Sequence, residues 1–219
     1  MGRDRGKPDR NSSTANALAG QGWQPDSPAR ALARMTELTM EYGVEPDRLG
    51  AQALWEGQYD RGAHAVVAGG FDKVPEMLAE RLDVRLGAPV ADLRIEADGV
   101  QAGSLRADAA VVAVPVALLQ SGSPRLDLPP AVREAVGSLI TGNLEKVFLR
   151  YPTAWWPDSQ ILQVESAPAQ RWAEWYDLRG LTGAPVVFGF AGGSTALARP
   201  ADDAGTAAEA AAVLSAAYR

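Results

Sequence analysis

Of the three lysines in this chain, Lys7, Lys73 and Lys146, only Lys146 sits inside an apolar run with the alternation of a strand. In LEKVFLRY, residues 144–151, a period of two puts Leu144, Lys146, Phe148 and Arg150 on one face, with Val147, Leu149 and Tyr151 on the other. A lysine in such a place is either the solvated member of a half-exposed strand or a buried amine. A buried amine needs a hydrogen-bond partner or ordered water, and such groups collect at functional sites. Trp155-Trp156 closes the same segment, and Trp172 and Trp175 stand one helical turn apart. Rings of this kind either fill a core or wall a pocket, where they stack on a flat cofactor or keep water from an amine. The glycine pairs Gly69-Gly70 and Gly192-Gly193 end apolar segments, where a missing Cβ permits a tight turn or a close backbone approach to a ligand. Neither pair forms GxGxxG or a phosphate loop, so the turn is the plainer reading of each.

The rest of the composition narrows the chemistry by exclusion. There is no cysteine among the 219 residues, which removes disulfides, thiolate nucleophiles and zinc–thiolate or iron–sulfur sites. His64 is the only histidine, so neither a multi-histidine metal site nor a histidine relay can be built, and no metal is expected. His64 has no identifiable chemical partner, and the carboxylates are scattered. A net charge of -6 disfavours nucleic acid as a partner, because phosphate binding needs clustered positive charge. The charged start is unlike a signal peptide and no run is apolar for long enough to span a membrane, so a cytoplasmic location is expected.

These residues need elements to position them. Residues 1–12 read as a loose tail. A helix is expected from Ser13 to Leu18, and Ser27-Pro28 resembles a cap followed by proline at the first helical position. The apolar spacing then carries a helix to about Tyr42, where Gly43 stops it. A further helix bears Phe71, Val74, Met77, Leu78 and Leu82 on one face. Val90, Leu93 and Ile95 lead to the turn dipeptide Asp98-Gly99, and a meander feeds a buried strand from Ala109 to Val114 that Pro115 ends. Pro129-Pro130 introduces a helix over 131–140. Strands are expected at 144–151, 160–165 and 185–191, and an alanine-rich helix at 205–217. Strands and helices alternate without a regular βαβ repeat, which predicts an α+β (mixed α/β) fold rather than a complete doubly wound domain.

Three stretches, in order, resemble the flavin-containing, FAD-dependent amine oxidase family, which includes monoamine oxidases, polyamine oxidases and lysine-specific histone demethylases. AVVAGGFDKVPEMLAERLDVRLGAPVADLRIEADGV (65–100), with ADAAVVAVPVALLQSG (107–122), is similar to the family's glycine turn, helix, strand pair and return strand. ITGNLEKVFLRYPTAWWPD (140–158) resembles its lysine-valine strand followed by aromatic-tryptophan, and APVVFGFAGGSTALA (184–198) is the third. Upstream, residues 11–43 resemble the helical substrate-side segment of bacterial members. The likeness implies a layout of tail (1–12), helical substrate-side segment (13–64), partial FAD-lobe segment with a β-meander (65–122) and substrate-domain sheet with helices (123–219).

The resemblance also implies roles. Lys146 matches the lysine that holds a water near the reactive edge of the flavin. Val90 matches a valine whose backbone contacts the adenine side of FAD, and Ala113, Val114 and Pro115 fall where the return strand approaches the cofactor lobe. Gly69 and Gly70 match the family turn. Trp156 matches the family tryptophan, with Trp155 in place of the usual phenylalanine, and the pair would wall the substrate pocket. The implied reaction is oxidation of a small-molecule amine to an imine, with hydride passing to FAD and O2 as final acceptor. The strand–GxGxxG–helix start that seats the FAD pyrophosphate is not in the sequence. The expectation is therefore a central piece of such an enzyme that does not retain FAD alone, exposes apolar surface, and needs a complementary chain carrying GxGxxG. A non-catalytic interaction or scaffold domain, and a standalone small-molecule binding domain, are the rival readings.

Overall fold

The computed structural model describes residues 8–9, 11–56, 66–166 and 171–219, with the backbone alone at 55 and 56. The readings that fall on His64, Ala65 and most of the tail lie outside the described residues. The chain divides into two compact units, one within 1–58 and 142–219, the other within 59–141.

The first unit opens with α1 (Thr14–Ala19), where the Ser13 hydroxyl accepts from the Asn16 N–H. The segment before it is tied down: Ala51 N–H donates to the Ser12 carbonyl at 2.9 Å and Thr14 N–H to that of Leu49 at 2.7 Å. α2 (Pro28–Arg34) starts as its sequence requires, with proline in the first turn and the Ser27 side chain accepting from Arg30 N–H. It runs without a break into a π-helical turn, Met35–Met40, so the helix expected to reach Tyr42 does so with a change of winding. π turns inside helices often mark functional regions. Leu32, Met35 and Met40 are buried there with Ala173, and Phe190 packs against them. A short helix, α3 (Ala53–Glu56), follows.

The second unit contains α4 (Lys73–Ala79), β1 (Asp92–Glu96), β2 (Gly99–Ala102), β3 (Leu105–Ala107), α5 (Val116–Ser121), β4 (Arg125–Leu126) and α6 (Pro130–Ser138). Its sheet has the order β3-β2-β1-β4, an antiparallel meander with β4 parallel to β1. Gly99 opens β2 opposite Glu96 with φ +141°, a conformation that favours glycine. The buried strand expected from Ala109 to Val114 is corrected: the segment joins no ladder among the described residues, and Val111 is 95% exposed. A β-prone run becomes a strand only beside a partner that takes its N–H and C=O groups. Pro115 instead caps α5. No described residue of this unit is buried.

The chain returns to the first unit with β5 (Leu144–Arg150), β6 (Ile161–Gln163), β7 (Glu174–Asp177), α7 (Arg179–Thr182), β8 (Val186–Gly192), α8 (Gly193–Leu197) and α9 (Asp203–Tyr218). These strands form an antiparallel sheet in the order β5-β8-β7-β6. One face is dry. Val147, Leu149, Leu162, Trp175 and Val187 pack with Trp156, Trp172, Ala210 and Leu214 into the main core. α9 reaches it through Thr206, Ala210 and Leu214, one residue per turn, with Asp202 capping its start by accepting from Gly205 N–H at 2.7 Å. Trp172 is fully buried although its φ is +62°, the one non-glycine residue with positive φ among those described. Its indole N–H donates to Glu209 at 3.0 Å and its carbonyl accepts from the Trp175 indole at 2.7 Å. The architecture is mixed α/β with two sheets and flanking helices, and no named strand precedes Asp92 among the described residues. Among these residues no helix is long and apolar enough to cross a membrane.

Candidate functional site

The second face of the first unit's sheet carries Lys146. The register sets its side chains in two cross-strand rows: Lys146, Phe190, Glu174 and Gln163, and beside it Phe148, Phe188, Tyr176 and Ile161. In the second row Phe188 stacks on Phe148 at 5.4 Å between ring centroids and on Tyr176 at 5.0 Å. Phe190 meets Phe188 and Tyr176 edge-on. The Lys146 ammonium lies over the Phe190 ring, 5.0 Å from its centroid. Lys146 and Phe148 are exposed, while Phe188, Phe190 and Tyr176 are half-buried. The solvated-strand alternative therefore describes the burial of Lys146, but the surface around it is aromatic.

At the other end of the lysine row, the Glu174 carboxylate is buried and accepts from Gln163 Nε2 and Tyr176 Oη, each at 2.7 Å. Burial pushes the Tyr176 phenol well above its ordinary value, helped by its bond to Glu174 and by the negative charges of Glu174, Glu37 and Glu41. Glu37 belongs to the π-helical turn, so that turn bears on this face.

The end of the sheet nearest Lys146 is tightly built. A Cβ on Gly192 would stand 2.6 Å from the Thr39 carbonyl oxygen, and one on Gly142 2.5 Å from that of Tyr42. Gly193 has φ +58°. The second glycine pair is thus required where strand and helix backbones meet, the structural one of its two readings. A groove of about 580 Å³ runs beside the start of β5, between residues 142–145 and 196–201, and its charged lining is the Arg199–Glu145 ion pair at 2.5 Å.

Trp155 and Trp156 do not share the Lys146 face. They pack with Val147 and Leu149 on the core side, Trp156 fully within it. The Trp156 indole N–H donates to Asp177 Oδ2 at 3.0 Å, and Asp177 also accepts from the Arg179 backbone N–H and from its Nε at 2.6 Å. Burial alone would raise the Asp177 pKa, but these bonds and the Arg179 charge outweigh it and hold the carboxyl below its ordinary range. The aromatic groups beside the lysine are instead Phe148, Phe188, Phe190 and Tyr176. The alternation of Phe188 and Phe190 in VVFGFAG was the available sign of them; their pairing with Phe148 and Lys146 depends on register, which no local pattern carries.

The remaining candidates lie in the second unit. Val90 is exposed before β1, and Ala113, Val114 and Pro115 form the extended approach to α5. Gly69 and Gly70 turn with φ of +86° and +110° ahead of α4. A pyrophosphate cradle needs open N–H groups at a helix start, free of negative charge. Here the Asp72 carboxylate presses against the place a Gly70 Cβ would take, at the N-cap of a helix of 7 residues. This turn therefore presents a carboxylate where a pyrophosphate cradle would present open N–H groups.

Comparison with known proteins gives the chain's relatives. The sequence profile of flavin containing amine oxidoreductases matches residues 7–218. Polyamine oxidase 3 of Oryza sativa subsp. japonica is 30% identical over 153 residues, covering 67% of this chain and 32% of that protein. Polyamine oxidase 2 of Arabidopsis thaliana is 28% identical over 153 residues, covering 67% and 31%. Lysine-specific histone demethylase 1B of Mus musculus is 34% identical over 107 residues, 46% of this chain and 13% of that protein. The chain thus spans about a third of the length of the polyamine oxidases it matches. The match over 7–218 overturns the reading of the chain as a central piece alone, and the bacterial affinity falls with it, since these relatives are plant and mammalian.

Proposed function

The chain belongs to the family of flavin containing amine oxidoreductases, and on that premise we propose that it supplies the amine-facing sheet of an FAD-dependent oxidation of an amine to an imine, with O2 as final acceptor. The observation that carries the reading is the Lys146 face: an exposed primary amine set on an aromatic surface, in a chain with few lysines. When bound, FAD supplies the hydride acceptor. Lys146 Nζ holds a water and moves protons at the edge of the reacting centre. Phe148, Phe188, Phe190 and Tyr176 offer an apolar wall, which once covered in the assembly would keep water out and favour the uncharged amine over its ammonium form.

The same reading holds that this chain does not retain FAD alone. Asp72 at the Gly69-Gly70 turn opposes a phosphate, so the pyrophosphate is held by further protein carrying GxGxxG. Val90, Ala113, Val114 and Pro115 then contribute backbone on the adenine side. Gel filtration of the chain mixed with FAD tests this, with absence of a protein-bound visible band expected; a stoichiometric band overturns it. In a flavin-loaded assembly, Lys146→Met should slow amine oxidation by about 10²-fold or more, and unchanged rates would remove Lys146 from the reaction. The uncovered apolar side chains of the second unit favour a second reading, an interaction domain without catalysis. An assembly that binds flavin yet oxidises no amine would leave that reading standing.

A further inference from the structure

We propose that Glu45 is a positioning residue that fixes Lys146 over the aromatic face by pinning three chain segments together. Its carboxylate Oε1 accepts from Ser194 Oγ at 2.6 Å and from Ser194 N–H at 3.2 Å, just past the end of β8. Oε2 stands 3.8 Å from Arg34 Nη2 of α2. Gly193 is confined beneath it: a Cβ there would come within 2.8 Å of Glu45 Oε1 and of the Thr39 methyl. From Gly193 the link continues into β5, because Gly193 N–H donates to the Asn143 carbonyl at 2.9 Å while Asn143 N–H donates to that of Gly43 at 2.6 Å. Asn143 stands three residues before Lys146, and Gly193 three after Phe190, its cross-strand partner. The half-buried carboxylate thereby joins α2 to the residue past the end of the phenylalanine strand, and the Gly193–Asn143 and Asn143–Gly43 backbone bonds carry that junction to the start of the lysine strand. A charge-assisted hydrogen bond at this junction is stronger than a neutral one, and losing it frees the pair's register where the ladder begins.

The importance of this for catalysis rests on the proposed role of Lys146; the positioning itself does not, and is read on the chain alone. Reductive methylation with ¹³C-labelled formaldehyde marks the amines. The Lys146 signal is the one that vanishes in Lys146→Arg, and Phe190→Leu defines its position without ring-current shielding. Glu45→Ala should move that signal most of the way to the Phe190→Leu position, Ser194→Ala part of the way, and Glu45→Gln, which keeps an acceptor oxygen, should restore most of the shielding. A Lys146 signal that stays put in folded Glu45→Ala overturns the proposal, as does Glu45→Gln behaving like Glu45→Ala. If Glu45→Ala does not fold, Ser194→Ala against Phe190→Leu decides it on the same scale. Normal shielding with no effect of Lys146→Met on amine oxidation would sink the functional reading and leave the pin intact.

Discussion

The two units each hold a four-stranded sheet, yet one buries tryptophan and no described residue of the other is buried. In the first, β5 alternates exposed and buried residues and α9 lies over the buried face through Ala210 and Leu214. In the second, Phe71, Met77, Leu78, Leu82, Val84 and Leu86 are all exposed, and Ile95 in the middle of β1 is 73% exposed. Apolar residues are present in both, and among the described residues only those of the first unit are buried beneath a covering helix. A sheet gains stability from what covers its face, and backbone pairing alone contributes little net free energy.

The contrast should appear first in core truncations. Trp175→Ala and Leu214→Ala remove fully buried side chains and should each cost about 2–5 kcal/mol in chemical denaturation. Ile95→Ala and Leu86→Ala should stay within about 0.5 kcal/mol; equal losses in the two units would abolish the distinction. Glycine substitutions should separate the units next. Gly192→Ala forces a Cβ into the Thr39 carbonyl and should cost about 1–3 kcal/mol. Gly103→Ala meets open space and carries only the strain of φ +59°, about 1 kcal/mol.

Acid should sharpen the comparison further. The Asp177 pKa is lowered in the folded state, so its contribution is fully present above the unfolded value, about 3.9, and is lost as pH falls through the folded value. Asp177→Asn should flatten that loss in urea midpoints measured downward from neutral pH, while removing the second unit's exposed Lys73–Glu76 pair should leave the midpoint at neutral pH almost unchanged. The smallest effect on stability is expected from Phe71→Ser with Leu82→Ser, which should leave the midpoint unchanged and reduce self-association in light scattering. Unaltered scattering would show that those side chains are not the sticky surface.

Local chemistry made the helix starts legible. Ser13, Ser27-Pro28 and Pro129-Pro130 stand at the heads of helices because the orphan N–H groups and the fixed proline φ act within a few residues. The failure was non-local. Ala109–Val114 has strand composition but pairs with no strand among the described residues, while Trp172 and Trp175 fill the core, one of the two readings open to them, from around the start of β7. Lys146 was legible as a lysine in a strand. Its surroundings were not, since Phe190, Glu174 and Tyr176 reach its face through β8 and β7 pairings set by tertiary register.

Trp172 shows how such a register can constrain sequence. Its backbone, at φ +62°, suits glycine, while its buried indole fills the core and binds Glu209. Glycine would relieve the torsion and leave a hole; phenylalanine would keep most of the volume, keep the strained torsion and lose the indole bond to Glu209, leaving that carboxylate to Arg171 alone. Two demands that elsewhere fall on different residues coincide at one codon. A saturation library at this position should return tryptophan almost alone.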